Sequence, residues 1–163
     1  MKAITFTIFG EVKGKMRPKA TAFGGHARVY TPSAQIKNEN WIKMEYLKVA
    51  EKQRFDGFGD APIKVEINHH VVIPESFSKK KRTQAIKKEI YPTKKPDADN
   101  LAKTVLDALN GVAFSDDKNI VELVITKDYS TKQYTSVYIC EYPEEHYNPI
   151  TNIPLGDDQL CLG

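Results

Sequence analysis

Two stretches with a strict two-residue alternation of apolar and polar side chains constrain the fold most. In residues 3–10, AITFTIFG, three large apolar residues lie on one face and threonines on the other. Residues 63–73, IKVEINHHVVI, repeat the pattern and place His69 on the apolar face. This period is that of a β-strand with one buried face. Both stretches are therefore predicted to be half-buried strands.

The spacing of apolar residues is helical in two other segments. Thr31-Pro32-Ser33 begins the first helix, which is predicted to end near residue 54, and an Asp/Asn-rich turn begins the second, predicted over residues 98–110. The apolar stripe of the first helix consists of Ile36, Trp41, Met44, Leu47 and Val49. The inward stripe of the second consists of Leu101, Val105, Ala108 and Leu109.

The rest of the chain up to residue 142 is predicted as loops and further strands. Residues 11–27 are rich in glycine and basic side chains and indicate a mobile basic loop or a hairpin. Residues 120–128 and 134–141 alternate again, and the polar turn between them predicts a second hairpin. We therefore expect one α+β domain over residues 1–142, with a mixed β-sheet and two main helices packed on it.

The formal net charge of +3 conceals a strong asymmetry along the chain. Residues 1–95 carry 20 basic and 9 acidic side chains, whereas residues 96–163 carry 4 basic and 12 acidic ones. Such a distribution indicates a polyanionic partner or a charged tail more often than an ordinary solvated surface. Residues 143–163 contain four acids and no Lys or Arg, and they are predicted to be a poorly ordered acidic tail.

The sequence also argues against several classes of protein. An apolar content of 40% is that of a globular chain and not of a disordered one. No apolar run approaches the ~20 residues of a membrane helix, and residues 1–15 lack a signal-peptide pattern. Cys140 and Cys161 have no zinc-type spacing around them. The expected location is a reducing bacterial or phage-host cytoplasm, with no membrane partner.

Aspartates stand at two places where they could bind a divalent cation. These residues are Asp97, Asp99, Asp116 and Asp117. Mg²⁺ prefers oxygen ligands and usually takes a couple of carboxylates with waters and substrate phosphates. A helix from Asp99 to residue 110 spans about 16 Å, so Asp117 can return to Asp99 only through a taut connection. A partner subunit that supplies Asp117 or Lys103 is the alternative.

Each of these residues also has a purely structural interpretation. Asp97 and Asp99 could serve only the helix N-terminus and its dipole, and the later aspartates could simply form a turn. Lys103 could pair with Asp99 one helical turn away, which contributes only a few tenths of a kcal/mol. Taken singly, none of the aspartates identifies a metal site.

The motif around the aspartates is more specific than its parts. KPDADNLAK over residues 95–103 is followed by LDALNG over residues 106–111 and then by the second aspartate pair. This order resembles the motif of the RusA family of Holliday junction resolvases. GKMRP and VYTP, before the first helix, are also similar to the family, so the resemblance extends over residues 2–142. Asn119 departs from the pattern, because many members carry Gln there.

The resemblance implies a homodimeric, Mg²⁺-dependent endodeoxyribonuclease, with Mn²⁺ able to substitute. The expected substrate is four-way or other branched DNA, with Holliday junctions resolved by paired symmetric nicks in recombination and repair. Asp97, Asp99 and Asp117 would be metal-binding catalytic acids, with Asp116 as a supporting ligand and Lys103 as a catalytic or substrate-contacting base. A phage or prophage origin fits the same analogy.

Basic residues on both sides of the motif are expected to bind the phosphate backbone, with an affinity that falls steeply with salt. Phe23, Phe77 and Tyr91 lie among them and could either stack on unpaired bases or pack on the surface. The predicted DNA-binding residues are Lys13, Lys15, Arg17, Lys19, Lys79, Lys80, Lys81, Arg82, Lys94 and Lys95.

Two alternative functions stay open at this point. The same acids would serve a less selective nuclease that cuts flaps and other branched DNA. A non-catalytic DNA-binding protein, in which the acids only cap a helix, is the alternative from a different class. Cleavage in Mg²⁺ separates the nucleases from the binder, and the choice of DNA substrate separates the two nucleases.

Overall fold

The computed structural model describes residues 1–23 and 26–142, which contain six β-strands and three α-helices. The strands are β1 (Ala3–Phe9), β2 (Lys19–Phe23), β3 (His26–Tyr30), β4 (Ile63–Val72), β5 (Ile120–Ser130) and β6 (Tyr134–Glu141). The helices are α1 (Ser33–Gln53), α2 (Lys79–Ile86) and α3 (Ala98–Leu109). The predicted α+β class is confirmed. The predicted acidic tail, residues 143–163, lies outside the described residues.

Four strands form one mixed sheet in the order β1-β6-β4-β5, and β2 pairs with β3 in a separate hairpin. β4 is parallel to β5 and antiparallel to β6, which is in turn antiparallel to β1. The predicted hairpin of residues 120–128 with 134–141 is therefore wrong, because β4 lies between these two strands. Alternation reports that one face of a strand is buried, and it does not identify the neighbouring strand.

β4 occupies the centre of the sheet because the side chains on its inner face are apolar along most of its length. Ile63, Val65 and Ile67 have no exposed surface, and His69 continues the row with 1% exposed. α1 packs on β1 and on α3, and α3 packs on β5, so these helices cover the same face. The His69 ring is held by Thr135, whose Oγ1 lies 2.8 Å from Nδ1. Burial lowers the pKa of His69 to about 4, so a neutral histidine belongs to the core.

The buried side of α1 differs from the predicted apolar stripe. Ile36, Met44 and Leu47 are 48%, 57% and 43% exposed. Gln35 and Asn38 are buried instead, because they satisfy the backbone of the segment after β1. Gln35 Oε1 accepts a hydrogen bond from the amide of residue 16, and Asn38 Nδ2 donates one to the carbonyl of residue 13. The helix therefore buries polar side chains that a periodicity of hydrophobic residues cannot reveal. The buried side of α1 consists of Gln35, Asn38, Ile42, Tyr46 and Ala50.

α2 is an additional helix, so the prediction of two main helices was incomplete. Its composition, KKKRTQAI, buries only Ala85 and gives almost no amphipathic signal. Ser78 caps it, with Oγ accepting from the amide of Lys81 at 3.3 Å. Within the described ranges, no helix is long and apolar enough to cross a membrane.

The strand directions give the sheet two distinct ends. β1, β4 and β5 all end at what we call the upper end, where β6 begins, and the lower end is the opposite one. α2 follows β4 beyond the upper end and contacts β5. α3 starts near the upper end and runs down the sheet, because residues 113 and 115 after it bond to residues 58 and 59, just before β4 begins.

Candidate active site

The N-terminus of α3 presents two carboxylates and one ammonium group to solvent. Asp97 precedes the helix, and its carboxylate accepts no capping hydrogen bond from the backbone that the structure describes. Asn100 Nδ2 lies 3.5 Å from Asp97 Oδ2. The side chains of Asp99 and Lys103 are 66% and 63% exposed, with their charged atoms 3.6 Å apart. Such an exposed pair contributes little to stability, and both carboxylates are accessible to a ligand.

Lys127 on β5 fixes the loop that leads to these carboxylates. Its Nζ donates hydrogen bonds to the carbonyl oxygens of Lys94 and Pro96, each at 2.7 Å. The second carbonyl belongs to the residue immediately before Asp97. A charged donor on a paired strand thus ties the start of α3 to the sheet, since hydrogen bonds to ionised groups are about twice as strong as neutral ones.

The segment after β1 packs against the other side of this loop and forms a cleft with it. The cleft has a volume of about 240 Å³, and Glu11, Lys13, Lys95 and Asp97 are among its lining residues. Gly14 makes the close approach possible, because a Cβ there would lie 3.1 Å from the Cβ of Pro96 and 3.2 Å from that of Asn100. The amide of Lys15 donates to the carbonyl of Asn100 at 3.0 Å.

Lys15 anchors this segment to both helices. Its Nζ forms ion pairs with Glu39 of α1, at 3.0 Å, and with Asp107 of α3. Partial burial opposes the charge, but the hydrogen bonds to the two carboxylates prevail and raise the pKa of Lys15. The charge of Lys15 is therefore already compensated within the chain, whereas Lys13 beside it is exposed.

The second aspartate pair lies at the lower end of the sheet. Asp116 caps a short 3₁₀ turn, Asp117–Asn119, by accepting from the amide of Lys118 at 3.0 Å. This backbone hydrogen bond lowers the pKa of Asp116. Asn119 is buried and donates through Nδ2 to the carbonyl of Gly59 at 3.1 Å, which fixes the turn against the segment before β4. Asp117 itself is exposed.

The two aspartate pairs of one chain are far apart. The twelve residues of α3 separate them by a rise of about 18 Å. The sheet gives a consistent distance. Lys127 contacts the residue before Asp97, and the start of β5, just after Asp117, is seven residues or about 23 Å away along the strand. Within residues 1–23 and 26–142, no three Asp, Glu, His or Cys side chains form a group suited to a metal ion. One chain thus provides two accessible carboxylates, Asp97 and Asp99, at the start of α3, whereas Asp116 and Asp117 lie at the other end of the sheet.

The predicted basic residues fall into two groups. Arg82 is a structural residue, because its guanidinium donates to the carbonyls of Phe77, Pro74 and Glu75. Lys81 Nζ lies 4.1 Å from the centroid of the Phe77 ring, whose edge also meets Tyr129. Phe77 is thereby occupied within the protein. The predicted DNA-binding residues that are exposed are Lys13, Arg17, Lys19, Lys79, Lys80, Lys81, Lys94 and Lys95.

The family profile described as Endodeoxyribonuclease RusA matches residues 10–140, a range that includes the α3 aspartates, Lys103 and the turn at Asp116 and Asp117. The chain belongs to the RusA family. It is also 32% identical over 143 residues to a Bacillus subtilis (strain 168) protein named Uncharacterized protein YqaN, a match that covers 86% of this chain and 98% of the relative. The predicted resemblance is confirmed, and family membership implies an endodeoxyribonuclease.

Some features of this RusA protein's site were not predicted from the sequence. Lys127 and Glu11 lie beside Asp97 only in the folded chain, since neither belongs to the motif. Glu11 follows the apolar alternation of β1, but nothing in its neighbourhood marks it as a cleft residue. The alternation of β5 does place Lys127 opposite His69 on the inner face. A lysine on a buried face was the one signal that could have revealed it.

Proposed function

We propose that this protein is a Mg²⁺-dependent, structure-selective endodeoxyribonuclease that resolves Holliday junctions by paired symmetric nicks. The observation that carries the proposal is the pair of accessible carboxylates, Asp97 and Asp99, at the N-terminus of α3. The Asp97 carboxylate makes no capping hydrogen bond to the described backbone, and Lys127 holds the loop before it. Simple helix capping explains this arrangement poorly, because the Asp97 carboxylate does not cap the helix.

The donor set fits Mg²⁺, which takes a couple of carboxylates and completes its shell with water and phosphate oxygens. Asp97 and Asp99 would hold the ion, and Asp117, supported by Asp116, would complete the site from a second subunit. When bound, the ion lowers the pKa of a water and offsets charge on the scissile phosphate. Lys103 lies one turn from Asp99, where its ammonium can stabilise negative charge that develops on the phosphate.

The lysines of α2 support a role in holding DNA. The first turn of this helix contains Lys79, Lys80 and Lys81 and no acid. Cations at a helix N-terminus oppose the helix dipole and cost a few tenths of a kcal/mol or more each. Their placement is therefore not explained by helix stability, and it suits a phosphate backbone that releases counterions on binding.

A homodimer would supply the Asp117 carboxylate that is missing beside Asp97 and Asp99 in one chain. Val121 and Leu123, which follow the second aspartate pair on β5, are 54% and 40% exposed, although Leu123 lies beside the buried Val65 and points to the helix-covered face. β5 is also an edge strand. A two-fold partner seated on this apolar edge would bury it and bring its own Asp117 towards the first chain's Asp99. The same symmetry provides two sites for two strands of a junction.

The first test compares a labelled four-way junction with matched duplex and flap DNA, in Mg²⁺ and in EDTA. We expect paired symmetric nicks in the junction alone, and only in Mg²⁺. Equal cleavage of the flap and duplex would support the less selective nuclease. Binding without cleavage of any substrate in Mg²⁺ would contradict the enzymatic assignment.

Mixing two inactive variants tests whether the sites are shared. A heterodimer of Asp99→Asn and Asp117→Asn chains has one site with both changes and one with neither if the subunits exchange these residues. Co-expressed chains should then recover about a quarter of the wild-type nicking, since about half of the dimers are mixed and each has one intact site. Complementation would be absent if each site were built within one chain.

A further inference from the structure

The face of the sheet opposite α1 and α3, which we call the outer face, carries a second cavity. It has a volume of about 450 Å³ and lies towards the upper end, outside the cleft at Asp97. Asn68, His70 and Ser136 line it from the strands, and Lys88 and Tyr91 from the segment after α2. A drug-sized ligand occupies a cavity of this order.

The floor of this cavity is built from mutually supporting side chains. Asp128 is 8% exposed, and its Oδ2 lies 3.0 Å from Lys88 Nζ. Its Oδ1 lies 2.5 Å from His70 Nδ1 but has no hydrogen-bond partner of suitable geometry among the described residues. Tyr134 stacks on the His70 ring with centroids 4.1 Å apart. The Thr126 hydroxyl donates to Asn68 Oδ1 at 2.6 Å. Because Oδ1 is engaged by Thr126, the amide nitrogen is the group of this lining residue that can donate to a ligand.

The rim combines an exposed aromatic ring with a cation. Tyr91, which lines the cavity, is 58% exposed. The Lys88 side chain is 62% exposed, and its ammonium both contacts Asp128 and lies at the cavity. A hydrogen-bonding floor below an accessible aromatic ring recognises a planar heterocycle such as a nucleobase.

The cavity and the Asp97 cleft lie on one continuous path. Lys88 contacts Asp128 on the outer face, whereas the carbonyls of Lys94 and Pro96 contact Lys127, whose side chain points to the other face. Residues 88–96 therefore cross the free edge of β5. Tyr91 precedes Asp97 by six residues, so the two lie within about 20 Å. A single DNA strand that passes Asp97 can continue over Tyr91.

We propose that the outer-face cavity takes one unpaired nucleobase of the bound DNA strand, stacked on Tyr91 and hydrogen-bonded to Asn68 and Ser136. The identity of the strand as DNA rests on the proposed function. The α2 lysines would bind phosphates whatever the sequence, whereas this cavity requires a base that is not paired. Recognition of an unpaired base would distinguish a branch point from continuous duplex.

The test measures affinity in EDTA for an oligothymidylate and for an abasic strand of the same length and charge. Wild-type protein should prefer the strand with bases by about fivefold or more, because stacking of one base on an aromatic side chain contributes roughly 1–3 kcal/mol. Tyr91→Ala should remove most of this preference, and Tyr91→Phe should keep it. Tyr138→Ala, at the lower part of the same face, is the matched control.

Equal affinity of the wild type for both strands would overturn the inference, and so would an undiminished preference in Tyr91→Ala. Equal weakening on both strands in Tyr91→Ala would also overturn it, because a general effect on the fold or on phosphate binding predicts that result. The EDTA measurement does not require cleavage. If the protein shows the base preference but cuts no junction, this inference stands and the proposed function is contradicted. If it cuts junctions but shows no base preference, the proposed function stands and this inference is contradicted.

Discussion

Replacing Lys127 by methionine removes the ammonium that joins β5 to the loop before Asp97. Methionine keeps most of the apolar stem, so the change leaves the packing of the inner face nearly intact. It eliminates two hydrogen bonds of 2.7 Å, to the carbonyls of Lys94 and Pro96. The start of α3 then loses its direct connection to the strand.

The magnitude follows from the environment of the two carbonyls. A hydrogen bond to a charged group contributes about 1.5–3 kcal/mol. Lys94 is exposed and Pro96 is half-buried, so water replaces much of what is lost, and we expect a net cost of about 1–2 kcal/mol. The midpoint of thermal unfolding should fall by about 5 °C. The chemistry should suffer more, because a misplacement of about 1 Å can reduce a rate by about 100-fold.

The assay is single-turnover cleavage of a four-way junction with protein in excess, together with junction affinity in EDTA. For Lys127→Met we expect a rate reduced by about 10- to 100-fold at nearly unchanged affinity. Lys127→Arg should recover much of the rate, because a guanidinium can donate to two carbonyls at once. Lys48→Met, which removes a lysine paired with Glu45 on the surface of α1, is the matched control.

Two results would refute the reasoning. A wild-type rate for the bound Lys127→Met complex would show that the loop needs no anchor. A weakened affinity with an unchanged rate in the bound complex would make Lys127 a phosphate contact, because the loss of a positioning residue acts on the bound complex and not on its formation.

Three further perturbations address other parts of the molecule. Asp99→Asn should abolish cleavage while junction binding in EDTA persists or tightens, since one negative charge near phosphate is removed; unchanged cleavage would contradict the assignment. Gly14→Val should reduce cleavage about tenfold. A Cβ at residue 14 would lie only 3.1 Å from the Pro96 Cβ, so the larger side chain would push the segment after β1 away from the loop before Asp97. Burial lowers the pKa of His69 from 6.5 to about 4, so the unfolded state binds more protons between these values. The free energy of unfolding in urea should fall by up to about 3 kcal/mol as the pH drops through this window, and His69→Asn should flatten the dependence.

The sequence predicted those elements whose local signals agree with their packing. α3 has an Asp/Asn start, a Gly end and an apolar stripe, and the structure buries all four predicted stripe residues. β1 and β4 were predicted for the same reason. The α1 stripe was only partly right. Trp41 and Val49 pack against the core, but Ile36, Met44 and Leu47 are exposed, and Gln35 and Asn38 are buried by hydrogen bonds to a distant backbone segment. Hydrogen bonds to a distant segment do not produce a periodic pattern in the sequence.

The candidate site was predictable only as far as one motif extends. Asp97, Asp99 and Lys103 share a helix terminus, so their spacing in the sequence is also their spacing in space. Lys127 reaches the site because β5 is parallel to β4 at the sheet edge. That pairing is a non-local choice, and the predicted hairpin would have placed β5 elsewhere. Residues that act through strand order are therefore missed when the strand order is wrong.

The division of the aspartates between two ends of one chain has a consequence for control of the reaction. If Asp117 of a second subunit completes the metal site, as proposed, a monomer with only Asp97 and Asp99 would be unable to nick a strand on its own. If the sites are shared, activity appears only when a dimer forms, and a dimer carries two sites by symmetry. A single subunit that binds DNA without its partner would thus be unable to cut one strand alone. Dilution below the dimer dissociation constant should lower the initial rate with the square of protein concentration, whereas a strictly linear decline would require a complete site in each chain.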